Sequence, residues 1–200
     1  MAANIHGTAD VASSADVAAT ARVWHFAQVR EDAVIGENCI IGRGAYIGSG
    51  VAVGDNCKIQ NYALVYEPAK LANGVFIGPA VVFTNDQFPR AITPDGTIKS
   101  GSDWHAVGVE VREGASIGAQ SVCIAPVIIG RWALVGAGST VVKDVPDFAL
   151  VVGNPARRVG WVGRSGQPLT EESPGVWVCP VTSARYALRA PEELVEMDVE

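Results

Sequence analysis

From Ile5 to Phe83 a hydrophobic residue returns at every sixth position without a slip: Ile5, Val11, Val17, Val23, Val29, Ile35, Ile41, Ile47, Val53, Ile59, Val65, Leu71, Ile77 and Phe83. The position four residues after each is small or short, as in Ala9, Ala15, Ala21, Ala27, Ala33, Cys39, Ala45 and Val51. A period of six is neither the 3.6 of a helix nor the strict alternation of a long strand. Self-similarity at a fixed short period is the mark of a stacked repeat. Three hexads then form one triangular turn of about 18 residues, so positions 18 apart lie above one another at the strand spacing of about 4.8 Å.

This reading predicts three interior stacks. Ile5, Val23, Ile41, Ile59 and Ile77 form one, Val11, Val29, Ile47, Val65 and Phe83 the second, and Val17, Ile35, Val53 and Leu71 the third. The column Thr20, Asn38, Asn56, Gly74 falls at one corner, where Asn and Gly tolerate the positive φ of a tight turn. The beat breaks over 84–108, where Pro89, Pro94, Gly96 and Gly101 mark an excursion from the coil. It resumes at Val111 and continues through Ile117, Cys123, Ile129, Val135 and Val141, so the excursion is an insertion within one all-β solenoid. Pro146 and the run V-V-G-N-P-A-R-R close the coils. An open coil end exposes strand edges and apolar side chains, so the tail is expected to act as a cap. Pro191 to Glu200 is expected to add one short acidic helical turn.

Composition narrows the function. The chain carries 15 Lys and Arg against 21 Asp and Glu, a net charge of −6, which argues against a general nucleic-acid or anionic-membrane binder. Between Arg131 and Arg164, five cations face two carboxylates, so this segment is +3 and the remainder −9. A local cationic end on an acidic chain suits a small polyanionic ligand. The N-terminus has neither a basic n-region nor an apolar core, and no apolar run reaches bilayer length; a cytoplasmic location is the expectation. Cys39, Cys57 and Cys123 occupy slots of the repeat, which predicts buried free thiols rather than a disulfide framework.

The repeats I-G-E-N-C-I, I-G-R-G-A-Y, I-G-S-G-V-A and V-G-D-N-C-K resemble those of the hexapeptide-repeat acyltransferases. That resemblance implies a left-handed parallel β-helix, usually trimeric. The segments K-I-Q-N-Y-A-L-V-Y-E, F-T-N-D with P-R-A, and V-G-N-P-A-R-R are similar to those of N-acetyltransferases acting on nucleotide-linked 3-amino sugars, of the UDP-3-amino-glucuronate and dTDP-3-amino-3,6-dideoxyhexose types. The similarity covers about residues 5–165. It implies residues 1–165 as the acyltransferase domain with the insertion at 84–108, and residues 166–200 as a C-terminal flap. In place of the paired cysteines of a zinc knuckle stand G-R-S-G and the lone Cys179. One cysteine does not make a four-ligand site, so the flap is expected to be metal-free and held by Trp161, Trp177 and Tyr186.

The unbroken register to Phe83 places Asn85 above Glu67, itself above Ser49 and Glu31, and Asp86 above Pro68. Turn chemistry alone makes Asn85 and Asp86 caps of the departing chain. The resemblance instead implies that Asn85 positions a sugar amine, with Glu67 and Asp86 contacting the sugar or its amine. Gln60, Asn61, Tyr66 and Arg90 are candidates for hydroxyl or nucleotide-diphosphate contacts, the outward polar residues of an ordinary rung being the plain alternative. Acetyl-CoA, the implied cosubstrate, is expected along the C-terminal coils. Backbone N–H groups near Gly118 and Ala137 would stabilise the oxyanion, and Lys143, Arg157 and Arg158 would meet its phosphates. His105, in D-W-H at the end of the insertion, is the histidine candidate for a general base; the aminosugar enzymes resembled are expected to need none.

The leading expectation is therefore an acetyl-CoA-dependent N-acetyltransferase working between subunits of a homotrimer. The alternatives are a hydroxyl acceptor with His105 as base, and a non-catalytic β-helix binding module. His6, His25 and His105 do not form the close three-ligand set of a zinc-dependent β-helix carbonic anhydrase.

Overall fold

A hexad turns one aliphatic side chain inward on each face and leaves two outward, so repeated hexads build a hollow triangular prism whose inside is filled by its own beat. The computed structural model describes residues 3–197 and has this form. Three sheets of nine, seven and six strands wrap the core. The first begins at Asn4–Ile5, the second at Asp10–Val11 and the third at Asp16–Val17. Within the coils all pairing is parallel, and each expected stack is present: Ile5 pairs with Val23, Val23 with Ile41, Ile41 with Ile59 and Ile59 with Ile77. The second stack runs Val11, Val29, Ile47, Val65, Phe83, and the third Val17, Ile35, Val53, Leu71. Ile41, Ile47, Ile59, Ile77 and Ile117 are fully buried; each contributes about 2–3 kcal/mol of transfer free energy.

After the insertion Leu71 pairs with Val111, 40 positions on instead of 18, so the excursion adds 22 residues without disturbing the stack. Its two ends are tied together where Val107 N–H donates to Asn85 O (3.0 Å), and its tip is closed by the antiparallel bridge between Ile92 and Ile98.

The corners obey a simple rule in part. Asn38, Asn56 and Gly74 have φ of 57°, 59° and 70° as their residue types predict. Thr20, in the same column, stays out of the left-handed region and instead accepts Asn38 N–H on its hydroxyl (2.7 Å). Phe26, Tyr62, Ala80, Trp132 and Phe148 adopt positive φ against their local preference; only the closure of the coil dictates it.

The two ends differ. At the first coil Ile5 is 41% exposed, whereas the last coil is covered by a four-stranded antiparallel sheet, Thr170–Ser173, Val176–Val178, Arg185–Ala190 and Glu193–Glu196. Trp161 is buried beneath this cap and Tyr186 of the cap is buried against the coil, edge-on to Phe148 at 5.2 Å, while Trp177 is half-buried. The expected helical turn at Pro191–Glu200 is overturned: Glu193–Glu196 pairs antiparallel with Arg185–Ala190, because the last strand completes the cap and gains ladder hydrogen bonds that an exposed single turn lacks. Residues 198–200 lie outside the described part. No helix occurs among the described residues, so none is long and apolar enough to cross a membrane.

Cys39, Cys57, Cys123 and Cys179 are free and buried. Burial alone pushes the Cys123 thiol up to about 12, and Cys57, beside the Cys39 thiol and buried, is raised too. In the cap, Cys179 Sγ lies 3.1 Å from Ser165 Oγ. No group of three or more His, Cys, Asp or Glu able to hold a metal occurs among the described residues.

Candidate active site

At four corners of the solenoid a glycine is followed by a residue whose N–H is taken by an Asn or Asp one coil above. Glu37 N–H donates to Asp55 Oδ1 (2.7 Å), Arg43 N–H to Asn61 Oδ1 (2.9 Å), Asp55 N–H to Asn73 Oδ1 (2.8 Å) and Arg131 N–H to Asp147 Oδ1 (2.7 Å). Each glycine before the donor leaves the room that the carboxamide or carboxylate fills, at Gly36, Gly42, Gly54 and Gly130. These side chains are parts of the frame, so Asn61 serves the corner first.

Gly48-Ser49 is built on the same plan, but the residue above it is Glu67. Its carboxylate folds over Gly48, where a Cβ would overlap Oε2 and approach the Glu67 backbone nitrogen to 2.7 Å. The extra methylene carries the carboxylate past the corner N–H, and Glu67 Oε2 is buried without a hydrogen-bond partner among the described residues. A buried unpaired carboxylate oxygen costs roughly 1–3 kcal/mol or more; Trp177 Nε1 in the cap is likewise buried without a partner among the described residues.

The register sets its neighbours. Because Val65 pairs with Phe83, Phe83 with Cys123 and Cys123 with Val141, Glu67, Asn85, Ala125 and Lys143 form one column on the edge between the second and third sheets. Ala125 N–H donates to Thr84 Oγ1 (3.0 Å), which holds the coils together where the insertion departs. Asp86 Oδ1 accepts Phe88 N–H (2.9 Å), as turn chemistry predicts; the Asn85 side chain is half-buried and makes no hydrogen bond among the described residues. Tyr66 packs on Tyr46 with ring centroids 5.0 Å apart. Burial, followed by the charge of Glu67, raises the Tyr46 phenol above its usual range. Below lie Ser49, whose hydroxyl donates to Glu31 (3.2 Å), and Arg30, paired with Glu31 at 2.9 Å.

The acyl-donor candidates divide. Gly118 N–H is committed to Val135 O (2.7 Å), so it is not available to an oxyanion; the coil's own ladder claims it. Ala137 is exposed, and its N–H meets no acceptor among the described residues. Both sit on the edge between the first and second sheets, one sheet face away from Asn85. Six extended residues separate those edges, a span of up to about 20 Å. Lys143, Arg157 and Arg158 do come together, around a cavity of about 440 Å³ that Asp144 and Glu192 also line. Arg158 lies over the Trp161 ring at 4.3 Å and donates to Pro191 O (3.0 Å), so it also fastens the cap.

Other candidates are less engaged. His105 is exposed and has no hydrogen-bond partner among the described residues to orient it as a base. Arg90 is exposed and, among the described residues, its side chain bonds only to Pro89 O (2.8 Å). Gln60 is half-buried, in a small cavity with Asn61. Sequence reasoning missed Tyr46 and Gly48. The signal for Gly48 was present: a Gly-X corner whose residue 18 positions on is Glu where the frame elsewhere uses Asn or Asp.

A family profile described as the hexapeptide repeat of succinyl-transferase matches residues 33–62 and 109–143. Over 52 residues the chain is 62% identical to dTDP-3-amino-3,6-dideoxy-alpha-D-galactopyranose 3-N-acetyltransferase of Aneurinibacillus thermoaerophilus, covering 26% of this chain and 27% of that protein. It is 40% identical over 90 residues to the serine acetyltransferase of Escherichia coli (strain K12), covering 44% of this chain and 32% of that protein. The chain thus spans about a third or less of the length of these curated relatives. Among solved structures, a hexapeptide-repeat acetyltransferase of Vibrio cholerae, complexed with acetyl-coenzyme A, superposes with a TM-score of 0.56 at 21% identity, covering 66% of this chain and 72% of that one. Repeat, coil and relatives agree: the chain has the hexapeptide-repeat acyltransferase fold and resembles sugar and serine acetyltransferases.

Proposed function

We propose that the protein is an acetyl-CoA-dependent N-acetyltransferase whose acceptor is the 3-amino group of a dTDP- or UDP-linked amino deoxysugar. The observation that carries this reading is the buried, unpartnered Glu67 Oε2, one coil below an Asn85 side chain that is also free. Together they offer an acceptor and a carboxamide at the place where the insertion leaves the coil, which suits an amine with adjacent hydroxyls. The 62% identity to a dTDP-3-amino-sugar 3-N-acetyltransferase supports that class of acceptor.

In this reading the neutral amine attacks the thioester carbonyl. The N–C bond forms, the C–S bond breaks, and the amine proton ends on the departing CoA sulfur, so no side-chain base is required. Glu67 and Asn85 hold the amine, and Ala137 N–H stabilises the oxyanion. Most of the rate enhancement then comes from orientation. Because the Asn85 and Ala137 edges are separate within one chain, the complete site forms between copies, with one copy giving the acceptor edge and the next the donor edge. A homotrimer closes that arrangement on a three-sided prism. Lys143 and Arg157 meet the CoA phosphates. On this reading the enzyme works in the cytoplasm, alongside its two substrates.

The test is release of CoA thiol on incubation with acetyl-CoA and thymidine- or uridine-linked 3-amino and 4-amino sugars. Turnover with the 3-amino compounds is expected. Turnover with serine instead would favour the second reading, a hydroxyl acceptor, which the 40% identity to a serine acetyltransferase supports. That reading needs His105 as base.

A further inference from the structure

Four aromatic residues in this chain take the left-handed backbone conformation at a corner, in two groups with different fates. Near the cap, Trp132 (φ 55°) lies over Gly114 and carries the Arg164 guanidinium 5.2 Å from its ring, and Phe148 (φ 60°) is buried against Tyr186. The chain's own tail covers both. On the edge between the first and second sheets, Phe26 (φ 58°) and Tyr62 (φ 60°) use the same device; a Cβ at Gly44 would stand 2.6 Å from the Tyr62 ring that lies over it. Here the rings stay open among the described residues apart from the Arg43 guanidinium over Phe26: Phe26 is 55% and Tyr62 54% exposed, and Trp24 beside them is 45% exposed. Aromatic rings at a disfavoured φ and facing solvent give the fold little in return.

The same corner has a cavity of about 280 Å³ lined by Trp24, His25, Arg43 and Gln60 among others. Its rings are aligned: Trp24 and His25 are within 7° of parallel with centroids 6.2 Å apart, and His6 stacks on His25 at 3.4 Å. It is also cationic. Arg43 lies over the Phe26 ring at 5.4 Å, and Ile40, at the cavity wall, pairs with Arg22 below and Lys58 above in the outward ladder of the first sheet. None of Arg22, Arg43 and Lys58 has a carboxylate partner within 4 Å among the described residues, on a chain whose net charge is −6. Unpaired cations beside exposed ring faces match a ligand that is planar at one end and anionic at the other.

We propose that this corner binds the pyrimidine nucleoside diphosphate arm of the acceptor, the base against the exposed Trp24 ring beside His25 and the diphosphate on Arg43 with Arg22 and Lys58. Gln60, which offers both a donor and an acceptor, reads the edge of the base. The assignment rests on the nucleotide-sugar reading above. It places the nucleotide on the donor edge of one copy, with the sugar crossing to the Glu67–Asn85 edge of the next.

Calorimetry with UDP and dTDP alone, on the full chain without acetyl-CoA, tests it. Arg43→Gln and Trp24→Ala alter exposed side chains and are expected to weaken nucleotide binding at least tenfold each. Binding should quench tryptophan fluorescence in the parent and not in Trp24→Ala. Unchanged dissociation constants in both variants would overturn the proposal, as would displacement of UDP or dTDP by ADP or CoA at equal concentration. Should nucleotide binding depend on Arg43 and Trp24 while no amino sugar is acetylated, the pocket stands and the acceptor assignment falls.

Discussion

The edges on either side of the second sheet are made by the same hexad and the same backbone turn, yet they carry opposite chemistry. The edge after the first sheet carries Gly78, Gly118 and Gly136 in its upper coils, with Ala137 beside them, and offers bare backbone. The edge after the second sheet carries Glu67, Asn85 and Lys143. A solenoid corner thus has one geometric demand and otherwise leaves its side chains open. For the N–H that follows a corner glycine the frame takes its acceptor from Asn or Asp, as at Asp55, Asn61, Asn73 and Asp147. A residue one methylene too long for that bond, Glu67, is where the corner stops serving the frame.

The sharpest way to break this contrast is at Asn85. Asn85→Ala is expected to lower kcat/KM for the amino-sugar acceptor by about 10²-fold or more, the scale for loss of an orienting contact, with the thermal midpoint unchanged. Glu67→Gln should lower it by about tenfold, and stability should rise by about 1 kcal/mol, because the buried unpaired group is then neutral and costs less to desolvate than a charged one. A denaturant titration checks the second half; lower stability would mean that Glu67 belongs to the frame after all. Lys143→Gln and Arg157→Gln should each raise KM for acetyl-CoA by roughly fivefold, in the range for exposed charge contacts, and leave KM for the acceptor alone. His105→Ala gives the smallest effect, a partial loss of turnover of no more than about threefold; abolition would instead favour general-base catalysis on a hydroxyl acceptor.

Much of this was legible before any coordinates. The stacks, the 84–108 insertion and the column joining Glu67 to Asn85 followed from spacing, since a repeat of 18 converts sequence distance directly into adjacency. The cap was legible only as a need: the tail was expected to cover the last coil, but its last strand was misread as a helical turn because pairing with Arg185–Ala190 is a contact between segments and leaves no periodic trace. The state of the Gly118 N–H was hidden for a related reason. A small residue suggests an open N–H, whereas the ladder to Val135 had already taken it.

The sequence by itself determined the solenoid, its register and the column of candidate residues, because parallel coils repeat one local rule. Tertiary structure decided which of those groups remain unsatisfied. The freedom of Glu67 Oε2, the commitment of Arg158 to the cap and the exposure of Phe26 and Tyr62 each depend on what the rest of the chain lays against them. Hydrogen-bond partners and burial are properties of neighbours brought together by folding, and a residue's type and spacing do not carry them.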